Sequence, residues 1–97
     1  TITSGSIEIN STNHRVVNEG GAATDNLSTI TGGQDGDVIC ISAGSSSQSV
    51  VVLHNAAGDP NTISCGANIV LDNNKDRLTL EYDNGSWVMI SYADNGI

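Results

Sequence analysis

Short apolar runs separated by polar turn residues extend along the whole chain. The runs are rich in Ile, Val and Leu, and between them stand clusters of Gly, Ser, Asn and Asp. Such runs are typical of strands, whereas an amphipathic helix would need a longer apolar stripe of different period. The pattern predicts strands at 14–17, 27–30, 37–42, 50–54, 62–65 and 68–71. The run at 50–54 is continuously apolar up to its last residue, which predicts a central strand.

The clearest local prediction is a C-terminal hairpin around Asn84-Gly85. This dipeptide is the preferred two-residue turn between twisted antiparallel strands. If Asp83 pairs with Ser86, the register places one set of side chains on a core face. In that register the facing pairs are Tyr82 with Trp87, Leu80 with Met89, and Leu78 with Ser91.

The opposite face of the hairpin is half polar and half apolar. Such a face is too apolar to be left in solvent and too charged for a sealed core. We therefore interpret it as a candidate subunit interface formed by Thr79, Glu81, Val88 and Ile90.

The N-terminal residues 1–13 carry few apolar side chains among Ser, Thr and Gly. Ile2, Ile7 and Ile9 alternate only loosely, and Gly5 suggests a bend. The segment can add a strand to another chain's sheet but has little to hold it on its own. The sequence thus predicts a single β domain over 1–97, with 1–13 as a candidate N-terminal arm that orders against a partner.

Composition favours an all-β fold. Phe is absent, and β-branched and turn-forming residues prevail over clustered helix formers. We expect a small antiparallel β sandwich or barrel-like domain, with a polar loop at 55–61 that contains Gly58-Asp59-Pro60. The chain shows no repeat with the period of about 20 to 50 residues that is typical of solenoids.

The net charge of −8 narrows the choice of partners. Eleven acidic residues stand against Lys75, Arg15 and Arg77. This balance repels phosphate backbones and anionic lipid heads, and no apolar stretch is long enough to cross a bilayer. We expect no nucleic-acid partner and no membrane insertion.

Cys40 and Cys65 are the only cysteines. Cys40 lies inside an apolar run, where a thiol behaves as a small hydrophobe, so the sequence predicts a free, buried Cys40. A disulfide stays open as the alternative if Cys65 lies on an adjacent strand.

The oxygen-rich clusters are typical of turns rather than of metal sites. Asp35 and Asp37 flank a glycine, and a second cluster covers 72–76, but neither has the further ligands of a known calcium loop. Side chains that cap tight turns explain both clusters. We predict no metal and no organic cofactor.

No catalytic constellation is recognisable. His14 and His54 lack neighbours at metal-ligand spacing, and no nucleophile-elbow motif is present. His54 is expected to close a strand and to hydrogen-bond the following loop. Trp87 with Tyr82 could form a platform for stacking a sugar, but a core aromatic pair is the favoured interpretation. The chain is therefore expected to bind and assemble rather than to catalyse.

Four blocks of sequence together resemble a β domain of tailed-bacteriophage virion surface proteins. Among them, Thr-Ile-Thr-Gly-Gly joined to the late Asp-Asn-Gly-Ser-Trp is the most specific combination. The likeness spans about residues 7 to 91. The blocks are 19–41, 49–54, 68–73 and 78–91.

The resemblance implies a structural protein of the virion. Such proteins are commonly trimers, and a chain without a fibrous shaft fits a capsid decoration protein that binds the major capsid protein or another virion protein. Ile2, Ile7 and Ile9 would then form the shell-binding arm. The expected location is the virion surface, after assembly in the cytoplasm of a bacterial host. The alternatives are the receptor-binding tip of a tail fibre, which would meet a host surface glycan, and a carbohydrate-binding module.

Overall fold

The computed structural model describes residues 1–55, 57 and 59–96, so the predicted loop at 55–61 includes two residues, Ala56 and Gly58, that lie outside the described part. The fold is all-β, as predicted, with 49% of the described residues in strands or isolated bridges. Among the described residues the one helical element is a 3-10 turn at Glu19–Gly21. The ten strands are β1 (Ser6–Glu8), β2 (Asn13–Val16), β3 (Thr24–Leu27), β4 (Thr29–Thr31), β5 (Val38–Ala43), β6 (Ser49–Val52), β7 (Ile63–Ser64), β8 (Ile69–Leu71), β9 (Arg77–Asp83) and β10 (Ser86–Ala93).

The first half of the chain winds into two stacked coils of three strands each. β1 pairs in parallel with β4, β2 with β5, and β3 with β6. Ser6 lies opposite Thr29, 23 positions later, whereas the offset is 27 positions for β2 and 25 for β3. The chain therefore contains two stacked coils, but their unequal offsets give no constant period in the sequence, as expected.

The second half runs back over the second coil. β8 pairs antiparallel with β6, and β9 pairs antiparallel with β5. The resulting sheets have the orders β1-β4, β2-β5-β9-β10-β7 and β3-β6-β8. Strand pairing is thus mixed, not purely antiparallel, and β6 is the central strand of its sheet, as predicted for this apolar run.

The C-terminal hairpin forms as predicted, with one change of register. Asn84 and Gly85 both have positive φ, the requirement of a type I′ turn. Trp87 pairs with Tyr82 and Met89 with Leu80. A bulge at Ile90 then shifts the pairing, so Leu78 faces Tyr92 instead of Ser91. The extra residue lets Tyr92 turn inward, where it packs against the core.

The Thr-Ile-Thr-Gly-Gly and Asp-Asn-Gly-Ser-Trp segments pack against each other. The buried Trp87 ring donates from Nε1 to the carbonyl oxygen of Ile30, 3.0 Å away. A Cβ atom on Gly33 would come within 2.6 Å of this ring and 2.8 Å of Tyr82, so the close approach requires glycine. The Thr-Ile-Thr-Gly-Gly block therefore packs against the Trp87 side chain and accepts its hydrogen bond.

The N-terminal segment belongs to the core of its own chain. Ile2 is fully buried, Ile7 is 7% exposed, and Ile9 packs partly buried against them. Ile2 also donates its backbone N–H to Val17, and Thr3 bridges Ser6. This placement corrects the expected free arm at 1–13, because the coil arrangement gives the sparse isoleucines a core that an isolated strand would lack.

Candidate subunit interface

The outward face of the five-stranded sheet carries the residues predicted for subunit contact. Along β9, Leu78 and Leu80 are buried while Thr79 is half-buried and Glu81 is exposed. Strand alternation therefore places Thr79 and Glu81 on the outer side of the sheet. We call this side, with the outward residues of β2, β5 and β10, the outer face.

An apolar row crosses one end of the outer face. Val38 on β5 lies opposite Glu81, which lies opposite Val88 on β10. We call Val38, Glu81 and Val88 the valine row. Val38 is 44% exposed and Val88 41%, and Ile90 in the neighbouring bulge is 56% exposed. Three of the five exposed large apolar side chains in the described part of the chain therefore lie together here.

A basic row crosses the other end of the same face. Arg15 on β2 lies opposite Ser42 on β5, and Ser42 and Arg77 follow directly beyond the paired residues Ile41 and Leu78. We call Arg15, Ser42 and Arg77 the arginine row. The three side chains line one surface depression of about 460 Å³. Nη1 of Arg77 is held in place by donating to the carbonyl oxygens of Asn74 (2.7 Å) and Asp76 (3.0 Å).

Both cysteine thiols are free, as predicted for Cys40. Cys40 is only half-buried, however, because alternation along β5 turns it outward between the two rows. Cys65 is the buried thiol, and its Sγ donates to the carbonyl oxygen of Ala67 at 3.1 Å. Burial raises the pKa of Cys65.

The two histidines accept hydrogen bonds from nearby backbone. His54 accepts at Nδ1 from the N–H groups of Cys65 and Gly66, each at 3.1 Å. The ring therefore bonds the turn that follows β7, whereas the sequence predicted a bond to the loop directly after His54. His14 accepts at Nε2 from Asn10. Burial lowers the pKa of His14, and the nearby amino terminus adds to the effect. In both histidines the ring nitrogen that accepts these bonds is occupied by backbone N–H groups.

Aspartates cap the two turns that were weighed as metal sites. The carboxylate of Asp37 accepts from the N–H of Gln34, and that of Asp35 accepts from the N–H of Asn84. Both bonds fix the turn beside the C-terminal hairpin, in line with the turn interpretation.

A second aspartate cluster joins the 72–76 turn to the C-terminal segment. Carboxylate oxygens of Asp72, Asp76 and Asp94 lie within 4.8 Å of one another. Asp76 is fully buried and accepts N–H bonds from Asp72 (3.2 Å), Asn95 (3.0 Å) and Gly96 (3.1 Å). These bonds tie the end of the chain to the turn.

The pKa values of two carboxyl groups in this cluster shift in opposite directions. Burial acts to raise the pKa of Asp76, but hydrogen bonds led by the Gly96 N–H outweigh it and lower the pKa. The pKa of Asp94 is raised because its carboxyl group hydrogen-bonds to Asp76 and faces the charge of that carboxylate. Asp76 is thus the ionised acceptor, and Asp94 takes up a proton more readily.

Trp87 and Tyr82 form a core pair, the favoured interpretation of these rings. Their centroids are 4.9 Å apart at an interplanar angle of 67°, an edge-to-face arrangement. Trp87 is fully buried, and the Tyr82 hydroxyl hydrogen-bonds to Asn61. The sugar-stacking platform would need Trp87 at the surface and is not formed.

Sequence reasoning found half of the outer face. Thr79, Glu81, Val88 and Ile90 follow from hairpin alternation alone. Val38 and the arginine row were missed because they join the face through the pairing of β9 with β5 and of β5 with β2. Alternation along the 37–42 run could have shown that Val38 and Cys40 point away from the core.

Comparisons of the chain with known protein families, curated proteins and solved structures gave no match. Among the described residues no helix has the length and apolar character needed to span a bilayer.

Proposed function

We propose that the chain is a structural protein of a bacteriophage virion, a homotrimeric capsid decoration protein that binds the major capsid protein. The observation that carries the proposal is the outer face, where exposed Val38, Val88 and Ile90 surround Glu81. Clustered exposed β-branched residues on a sheet face are typical of an interaction surface. The resemblance of the Thr-Ile-Thr-Gly-Gly and Asp-Asn-Gly-Ser-Trp blocks supplies the virion context.

Shell binding is assigned to the assembled trimer and not to an N-terminal arm. Ile2 and Ile7 are core residues, so presenting them to a shell would expose apolar side chains that now stabilise the chain. Three copies of a weak contact on one trimer bind a shell with the advantage of avidity.

A tail-fibre tip is the second candidate, and the coiled first half favours it. Parallel coils stack along one axis, so solenoids form elongated bodies suited to a fibre. A fibre tip would contact a receptor on the host surface, a glycan being the expected class.

Electron cryomicroscopy of the particles that carry this protein tests both candidates. We expect threefold density of this fold on the head, with particles lacking the gene as the control. Density at the fibre end would establish the second candidate. Absence of the protein from purified particles would overturn both.

A further inference from the structure

Glu81 occupies a position that a bound partner would desolvate. Its side chain lies between Val38 and Val88 in the paired register of three strands. Anything that covers these two valines also removes water from the carboxylate between them. A carboxylate desolvated without a cation is strongly unfavourable, so the covering surface must supply one.

The chain itself carries cations on this same face, at the end opposite Glu81. Of its three basic residues, Arg15 and Arg77 belong to the arginine row. Arg77 is four residues from Glu81 along β9, which is about 13 Å at the usual strand rise. Within one copy, Nη1 of Arg77 bonds the carbonyl oxygens of Asn74 and Asp76 instead of the Glu81 carboxylate.

Resting on the proposed function, we propose that the outer face binds a second copy of this chain, with Glu81 of one copy paired to Arg15 and Arg77 of the other. The valine row and Ile90 would cover the methylene stems of the arginines, which can pack on apolar surface while the guanidinium groups meet the carboxylate. The anchored Nη1 of Arg77 leaves its remaining N–H groups to donate.

A second copy suits this face because each copy presents both halves of the contact. A copy turned or shifted along the strand direction brings its arginine row over the valine row of the first. The rest of the surface is acidic, with only Lys75 as a further cation. Copies joined elsewhere would largely set carboxylates against carboxylates.

Charge exchange on the outer face tests the contact. The mass in solution would be measured by light scattering for the wild type, for Glu81→Arg, and for Glu81→Arg combined with Arg15→Glu and Arg77→Gln. Gln at 77 keeps an amide donor for the carbonyl groups of the 74–76 turn. We expect Glu81→Arg to weaken self-association at least tenfold and the combined exchange to restore much of it.

Glu8→Arg is the matched control, because it makes the same charge change at an exposed position on β1, in a different sheet. Circular dichroism and the melting temperature confirm that each variant is folded. The contact is overturned if Glu81→Arg associates as the wild type or the control does, or if the wild type stays monomeric at about 100 µM. A dimer with the expected charge dependence supports the contact while overturning the trimer, so the two proposals fail separately.

Discussion

At the residue scale, Trp87 joins two parts of the fold that are distant in sequence. Its ring is fully buried against Tyr82 and Gly33, and its Nε1 donates to Ile30. Loss of this side chain would remove apolar burial and leave the Ile30 carbonyl oxygen without its donor. The residue that follows, Val88, points to the opposite side of the same strand and is 41% exposed.

We therefore expect Trp87→Ala to lower the free energy of unfolding by roughly 3 to 5 kcal/mol, and Leu80→Ala by roughly 2 to 5 kcal/mol, because both side chains are core. Val88→Ala, measured under conditions where the chain is monomeric, should cost less than about 1 kcal/mol. Urea denaturation followed by tryptophan fluorescence suits Leu80→Ala and Val88→Ala, and circular dichroism suits Trp87→Ala. Similar losses for Val88→Ala and Leu80→Ala would contradict the assigned faces.

Asp76 makes the free energy of unfolding depend on pH in the acidic range. Asp76→Asn should cost about 1 to 3 kcal/mol at pH 7, because an amide cannot accept all three backbone N–H bonds. The folded pKa of Asp76 is lowered, so its stabilisation is complete above the unfolded pKa of about 3.9 and is lost as pH falls through the folded value. The difference between wild type and Asp76→Asn should shrink in urea titrations repeated at about pH 3 and below.

Asp94, in the same cluster, should change stability with pH in the opposite direction to Asp76. Its raised pKa means that ionisation opposes folding once the pH rises through the folded value. Asp94→Asn supplies a permanent N–H donor to Asp76, so the melting temperature at pH 7 should rise. A fall in that melting temperature would show that the assumed bond to Asp76 is wrong.

At the scale of elements, the parallel coil decides where the N-terminal segment lies. Ile7 pairs with Ile30, Val16 with Ala43, and Leu27 with Val52, all of them buried, so each inward residue stacks on another in the next coil. Ile2 is buried with this stack although it precedes the first strand. The segment therefore stabilises the monomer.

Ile2→Ala should consequently cost roughly 2 to 4 kcal/mol in the isolated chain, as for other fully buried isoleucines. Thr3→Ala, at the exposed neighbouring position, is the matched control and should change little. Urea denaturation at concentrations where light scattering shows monomer would measure both. Equal stability of Ile2→Ala and wild type would contradict this placement and support the predicted free arm at 1–13.

The elements that could be predicted from the sequence were those set by local rules. Asn84-Gly85 fixed the hairpin, and alternation placed Glu81 and Val88 on one face. The coil could not be found in this way, because stacking requires only that inward residues be apolar, and offsets of 23, 25 and 27 positions leave no constant period. Arg15 joined the candidate site through pairing between strands distant in sequence, which no single run reveals.

At the scale of the whole molecule, the net charge of −8 opposes the contact that the outer face favours. The molecule is about 25 Å across its shorter axes. Two such charges centred at that separation repel by about 10 kcal/mol in water before screening. Close charge pairs at an interface contribute less than this, about 1.5 to 7 kcal/mol. Long-range repulsion therefore outweighs the ion pair when the salt concentration is low.

Self-association should accordingly tighten as salt is added. Raising the ionic strength from about 0.01 to 0.15 M shortens the Debye length from about 30 to 8 Å, which screens the repulsion between whole molecules far more than a pair at contact distance. We expect the dissociation constant from sedimentation equilibrium to fall at least tenfold over this range. Glu8→Arg, which reduces the net charge without touching the outer face, should show a weaker salt dependence. Association that weakens steadily with salt would instead mean that local ion pairs dominate and that the valine row contributes little.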